Sequence, residues 1–373
     1  MRRLRAGRSI SSVVELGQLK MNGCGFRGVS RATLSDIENG RVLPSVESLF
    51  SLAVLYQVPA SRLLHCLLEE NVVESVDLPA EVQEIRESFT AAVAVRDWPR
   101  ALALAVHGCK VAATPDEAIR WRLNRSTAME RLGMRDDAIS DMQACLASPD
   151  LPKGEKFKVH RELARQHGSA GNLTMAEMHL TECLRVMPAV CDAQIRAAVL
   201  LEQVRLVTLR RAWGVTETDN IAEARERLAT ARRLLGEPPP QPDRHLMDHL
   251  RAQLHEIDGD SRKARVGYGS VLADARVSGL RYWQVAALTS LAVLLRGEDA
   301  AEARGLLAEA SDIAVDAGYL DEAFSASFDL LELAESVEQR RHYYRKCQRL
   351  YPFLQTTTLA VRRFHQCRVE FSP

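Results

Sequence analysis

Aromatic residues are scarce in this chain, at 5% of 373 positions, while alanine, leucine and arginine are abundant. So few Phe, Tyr and Trp side chains exclude a sandwich or barrel as the main architecture and point to packed helices. Long apolar runs are missing too: no 18-residue apolar stretch occurs, which excludes a helical membrane span. The basic N-terminus is not followed by an apolar core segment, so no secretory signal is expected. The eight cysteines are scattered and include no Cys-x-x-Cys pair. That spacing excludes a disulfide framework or a zinc ribbon and suits the reducing cytoplasm. The formal net charge is zero, which excludes a polycation.

Catalytic signatures are absent as well. There is no Walker-type phosphate loop, no Gly-x-Ser-x-Gly and no His-Glu-x-x-His. His245 and His249 stand four apart beside Asp248, with His255 nearby, a spacing that suits a metal. Histidines on an exposed helix are more simply solvated, so neither a metal nor a cofactor is expected. Carboxylates fall at helix-surface spacings that pair them with arginine, as in Glu223 and Arg227, and no enzyme is expected.

What is present begins at Gly28, with GVSRATLSDIENGRVLPS. Ser30 is a helix N-cap. Leu34 and Ile37, three apart, share one buried face. Arg31, Ala32, Thr33 and Asp36 then point away from that face. Asn39-Gly40 ends the helix, with Gly suited to a left-handed position. Pro44-Ser45 opens a second amphipathic segment marked by Val46, Leu49, Leu52, Ala53 and Leu55.

Together with Val58 to Leu64, this pattern resembles the helix-turn-helix of the Xre/lambda-repressor family over residues 1–70. The resemblance implies a DNA-binding domain that places Ser30, Arg31, Ala32, Thr33, Asp36 and Asn39 toward base edges and flanking phosphates. Arg41, Arg2 and Arg3 are expected on the phosphate backbone. It also implies a pair between Glu38 and Arg5. The chain departs from the family in a short first helix, Met1 to Arg5. It also has Ser11-Ser12 where many members carry Gln, and a long KMNGCGFRG turn. Charge follows the same division. Residues 1–41 carry eight Lys/Arg against three Asp/Glu, whereas residues 71–373 carry 40 against 43.

From about residue 80 a second pattern recurs. A Gly/Asp/Asn turn is followed by a helix that opens on a small residue, with reference positions Ala101, Ala138, Ala176, Ala224, Ala264, Ala303 and, faintly, Arg341. The period is near 38 except for one interval of 48. Two helices per unit at this spacing resemble tetratricopeptide repeats. Stacking such units builds a continuous core with a concave groove. Alignment to that family puts Lys158, Arg161 and Arg165 of the third unit, and Arg120, Asn124 and Thr127 of the second, on the groove face. Asn and Arg there imply recognition of a peptide backbone and its carboxylates.

The expected fold is therefore all-α: a helix-turn-helix domain (1–70), a linker (71–79) and an α-solenoid of tetratricopeptide-like pairs (80–373). The expected function is that of a bacterial, cytoplasmic transcription regulator acting on double-stranded DNA. Its repeats are expected to form a homodimer and to sense a peptide or protein in the groove, Asn124, Lys158, Arg161 and Arg165 making the contacts. No membrane partner is expected. The competing reading is a protein-interaction scaffold with a degenerate helix-turn-helix.

Overall fold

A computed structural model gives the fold. It describes residues 31–38, a few positions between 41 and 52, and residues 78–368 apart from short loop stretches. The chain divides into two compact units, 1–75 and 76–373. All regular structure among the described residues is helical.

In the first unit, helix α1 spans Arg31–Glu38. Ile37 and Leu52 are buried there. The Arg41 N–H donates to the Asp36 carbonyl at 2.8 Å. The expected Asn39-Gly40 stop lies outside the described residues.

Among the described residues the second unit holds seven antiparallel helix pairs and a further helix. The pairs are α2 (Val82–Ala94) with α3 (Trp98–Val111), α4 (Pro115–Arg131) with α5 (Arg135–Ala147), and α6 (Lys156–Ser169) with α7 (Leu173–Val186). Next come α8 (Ala193–Ala212) with α9 (Ile221–Leu235), and α10 (Gln241–Ile257) with α11 (Ser261–Val277). The array ends with α12 (Arg281–Leu295) and α13 (Ala300–Ala317), α14 (Leu320–Glu332) and α15 (Val337–Leu350), then α16 (Leu359–Arg368).

The recurring small residue has a single structural job. Ala101, Ala138, Ala176, Ala224, Ala264 and Ala303 each occupy the fourth position of the second helix of a pair, and all six are fully buried. With only a Cβ to accommodate, the two helices of a pair approach closely. An Asp or Asn four residues earlier caps most of these helices, as when the Asp97 carboxylate accepts from the Arg100 N–H. Each such cap is worth about 1 kcal/mol. In the seventh pair the N-cap is Ser336. The equivalent position is therefore Arg340, one residue before the expected Arg341. The long interval of 48 is explained by α8, which at 20 residues is the longest helix described, and by the connection after it. The proline-rich run 238–240 falls in the connection before α10.

The array curls back on itself. One buried apolar cluster joins Trp98, Leu102, Met129 and Met134 of the first two pairs to Leu280, Trp283, Tyr319 and Ala323 of the last two. The Arg131 guanidinium lies 5.7 Å from the Trp98 ring and 5.2 Å from that of Tyr282 on α12. Arg362 of α16 lies 4.7 Å from the Trp213 ring at the end of α8. The concave side is thus a narrow interior lined by first helices rather than an open trough.

Candidate DNA-binding helix and repeat groove

The expected base-reading positions lie on or beside α1. Thr33 is half-buried, Ser35 exposed and Asp36 half-buried. Arg41 lies 3.6 Å from Asp36, and its side chain is 73% exposed. An ion pair that open to water is worth under about 1 kcal/mol, so Arg41 is not withheld from a phosphate. Arg31 and Ala32 sit in the first turn of α1, but their side chains, like that of Glu38, lie outside the described residues. So do Ser30, Asn39, Arg2, Arg3 and Arg5.

The groove residues are brought together by three consecutive first helices. Asn124 on α4 and Lys158 and Arg161 on α6 line one hollow of about 390 Å³, along with Arg86, Arg120 and Thr127. Arg86 is held by Glu117 at 2.8 Å, and Lys158 by Glu155 at 2.9 Å. Arg120 and Arg161 have no ion pair among the described residues. The hollow therefore offers two uncommitted guanidiniums and an amide.

Arg165 departs from the expected arrangement. Its guanidinium turns away from that hollow into a buried cluster, bound to Glu130 at 2.8 Å and to Glu162. Arg165 shares the helix face of Arg161, one turn on, but Glu162 of its own helix and Glu130 of the preceding pair already occupy its donor fork. The Glu130 carboxyl is fully enclosed. Burial alone would raise its pKa, but Arg165, Arg131 and Arg135 outweigh that and hold it well below the usual carboxylate range.

Beyond this cluster lies a second hollow of about 230 Å³, lined by Arg131, Arg135, Arg205, Glu202, His249, Tyr282 and Glu322 among others. Burial, then the nearby Asp321 charge, pushes Glu322 up to about 7.

The histidines are not solvated, contrary to the sequence expectation. His245 and His249 are both buried, because α11 and α12 cover this face of α10: His249 packs against Tyr268 and Trp283, and His245 against Trp283. His245 Nε2 lies 3.0 Å from Asp274, and burial pushes His249 down to about 4. A second group is His160, His179 and His167, in a row across the α6–α7 hairpin, with centroids 5.4 and 5.5 Å apart. Among the described residues no group of three or more His, Cys, Asp or Glu could hold a metal ion. No described helix is long and apolar enough to cross a membrane.

Residues 28–63 match the helix-turn-helix family model. That segment is similar to helix-turn-helix domains of Xre type. The helix-turn-helix match begins three residues before α1 and so contains the whole of that helix. No curated protein matches the chain. Among solved structures, the chain is similar to a signal transduction ATPase with numerous domains that carries a tetratricopeptide repeat sensor, from Pyrococcus horikoshii. Identity is 14% and the TM-score 0.44, over 91% of this chain. The chain spans 51% of that protein's length.

Sequence reasoning passed over three features. The Glu130 cluster and the contacts between distant pairs had no local signal, because their members are far apart in the chain. The arginines at 341, 345 and 349 did have one, a regular spacing of four.

Proposed function

We propose that the protein is a DNA-binding transcription regulator. In this reading its helix-turn-helix reads an operator, and its helical repeats dimerise and sense a peptide or protein segment. The observation that carries the reading is the pairing, in one chain, of a helix-turn-helix at 28–63 with a repeat unit whose groove presents Asn124, Arg120 and Arg161 together. Arg31, at the start of α1, makes the base contact, and Arg41 binds phosphate. Asn124 pairs with a peptide amide, while Arg120 and Arg161 hold carboxylates. Arg165 positions Glu162 beside them and does not touch the peptide.

Dimerisation follows from the weak charge of the DNA-binding end. Nine Lys/Arg against six Asp/Glu over residues 1–70 give one domain little phosphate affinity. Two linked domains raise the effective concentration of the second at its half-site. The test is selection of bound duplexes from a random pool by the full chain, with light scattering on the same sample. The reading expects a dimer and a two-fold symmetric motif. A monomer that enriches no sequence would return the protein to the scaffold reading.

A further inference from the structure

Many arginines in the second unit are paired with carboxylates of neighbouring helices. The outer helices are stitched from one pair to the next: Arg276 of α11 to Glu309 of α13 at 2.6 Å, and Arg265 to Glu302 at 3.5 Å. Arg304 of α13 reaches Glu335 before α15 at 2.6 Å. Among the described residues, helix α15 instead concentrates unpaired arginines on one face. It carries five Lys/Arg against one Glu in 14 residues. Arg341, Arg345 and Arg349 are exposed and have no ion pair among the described residues.

The three fall at successive steps of four on one face. At 1.5 Å per residue they form a straight row about 12 Å long. Duplex DNA presents one phosphate per strand every ~3.4 Å of axis, so the row faces three or four phosphates of one strand. His342 and Lys346 flank the same face, and Lys346 is tied to Asp312 at 3.4 Å.

The face lacks what a protein partner would need. Tyr344 and Cys347 turn into the core, leaving Val337 at the helix start as the exposed large aliphatic side chain of α15. Protein interfaces draw their affinity from buried apolar and aromatic anchors. A row of guanidiniums without such anchors suits a polyanion held by charge alone.

We infer that Arg341, Arg345 and Arg349 form a second DNA contact, a phosphate-binding stripe on the repeat unit itself. The stripe adds sequence-independent affinity to what the helix-turn-helix reads, and it rests on the DNA-binding reading above. It offsets the small charge excess of residues 1–70 without placing further cations there.

The test uses the full chain and a fluorescently labelled duplex of about 40 base pairs, titrated between about 50 and 200 mM salt. Three proteins are compared: wild type, Arg341→Gln/Arg345→Gln/Arg349→Gln, and a control that removes three exposed arginines elsewhere, Arg100→Gln/Arg262→Gln/Arg281→Gln. Circular dichroism melts check that each is folded. Each lost phosphate contact lowers the slope of log K against log salt by about 0.9. The stripe variant is expected to lose about 2–3 in slope and the control to lose none. An unchanged slope in the stripe variant, with wild type binding DNA, overturns the stripe and leaves the helix-turn-helix reading standing. Equal loss in the control also overturns it, as a general charge effect. If the stripe variant differs from wild type on polyglutamate but not on DNA, the partner is an acidic protein and the DNA assignment fails. If wild type binds no duplex at all, both readings fail together.

Discussion

Arg135 at the start of α5 lies 3.2 Å from Asp321 at the start of α14, and both side chains are buried. The pair fastens the second helix pair to the seventh. Glu130, 3.9 Å from Arg135, extends it into the Arg131 and Arg165 cluster. An array whose units touch only their neighbours would have no such pair. Here the ends of the array are held in register, which sets the width of the interior and of the groove mouth.

Removing one partner of a buried pair strands the other charge. Asp321→Ala is expected to cost about 3–5 kcal/mol in urea unfolding of the full chain. The joint replacement Arg135→Met/Asp321→Leu should recover most of it, since an apolar pair needs no desolvation of charge. A single variant within about 1 kcal/mol of wild type would mean that the fastening contributes nothing.

His249 sets a pH dependence with a definite sign. Its imidazole is neutral in the fold, with its pKa pushed down to about 4, whereas the unfolded chain takes up the proton near the ordinary value of 6.5. Stability contributed by the neutral ring is present above about 6.5 and lost as pH falls to 4, a change of about 3 kcal/mol. Asp329, pushed up to about 6 by burial despite Arg296, works in the opposite direction over the same range. Comparison with His249→Gln isolates the histidine. The stability difference between wild type and variant should shrink by about 3 kcal/mol between pH 7 and pH 4. A difference that does not move with pH would place a charged or exposed imidazole there instead.

Gly171 is required twice over. Its φ is +75°, and a Cβ built there would lie 2.2 Å from the Trp213 ring. Gly171→Ala should therefore combine backbone strain with overpacking and destabilise the fold by more than about 1 kcal/mol. Thermal melts of the full chain measure it. An unchanged melting temperature would show that Trp213 does not pack on this turn.

The groove assignment is checked by panning the full chain against a random peptide library. Asn124→Ala/Arg161→Ala should lose the peptides that wild type enriches, with DNA binding retained. Identical enrichment by both proteins would remove these residues from recognition.

Much of this architecture was legible in the sequence, because its signals are local. A buried alanine marks the second helix of six pairs, five of them with an Asp or Asn cap four residues earlier, and its spacing gave the count of seven units. Asn124, Lys158 and Arg161, which the resemblance to the repeat family put on one face, line one hollow in the structure. What escaped depends on contacts between distant segments. Arg165 lies one turn from Arg161, and only the presence of Glu130 from the preceding pair shows that it is already engaged. His245 and His249 read as exposed because what covers them, Asp274 and Tyr268 of α11 and Trp283 of α12, is set by how other helices pack on α10. The Arg135–Asp321 pair is invisible for the same reason.

The central claim is sequence-specific DNA binding by the helix-turn-helix, and Arg31 tests it most directly. Affinities of full-length wild type and Arg31→Ala are compared on the selected duplex and on a scrambled one at equal salt. Base readout by Arg31 should cost the variant about 1–3 kcal/mol on the selected duplex and almost nothing on the scrambled one. Equal losses on both, or no preference by wild type, would contradict it.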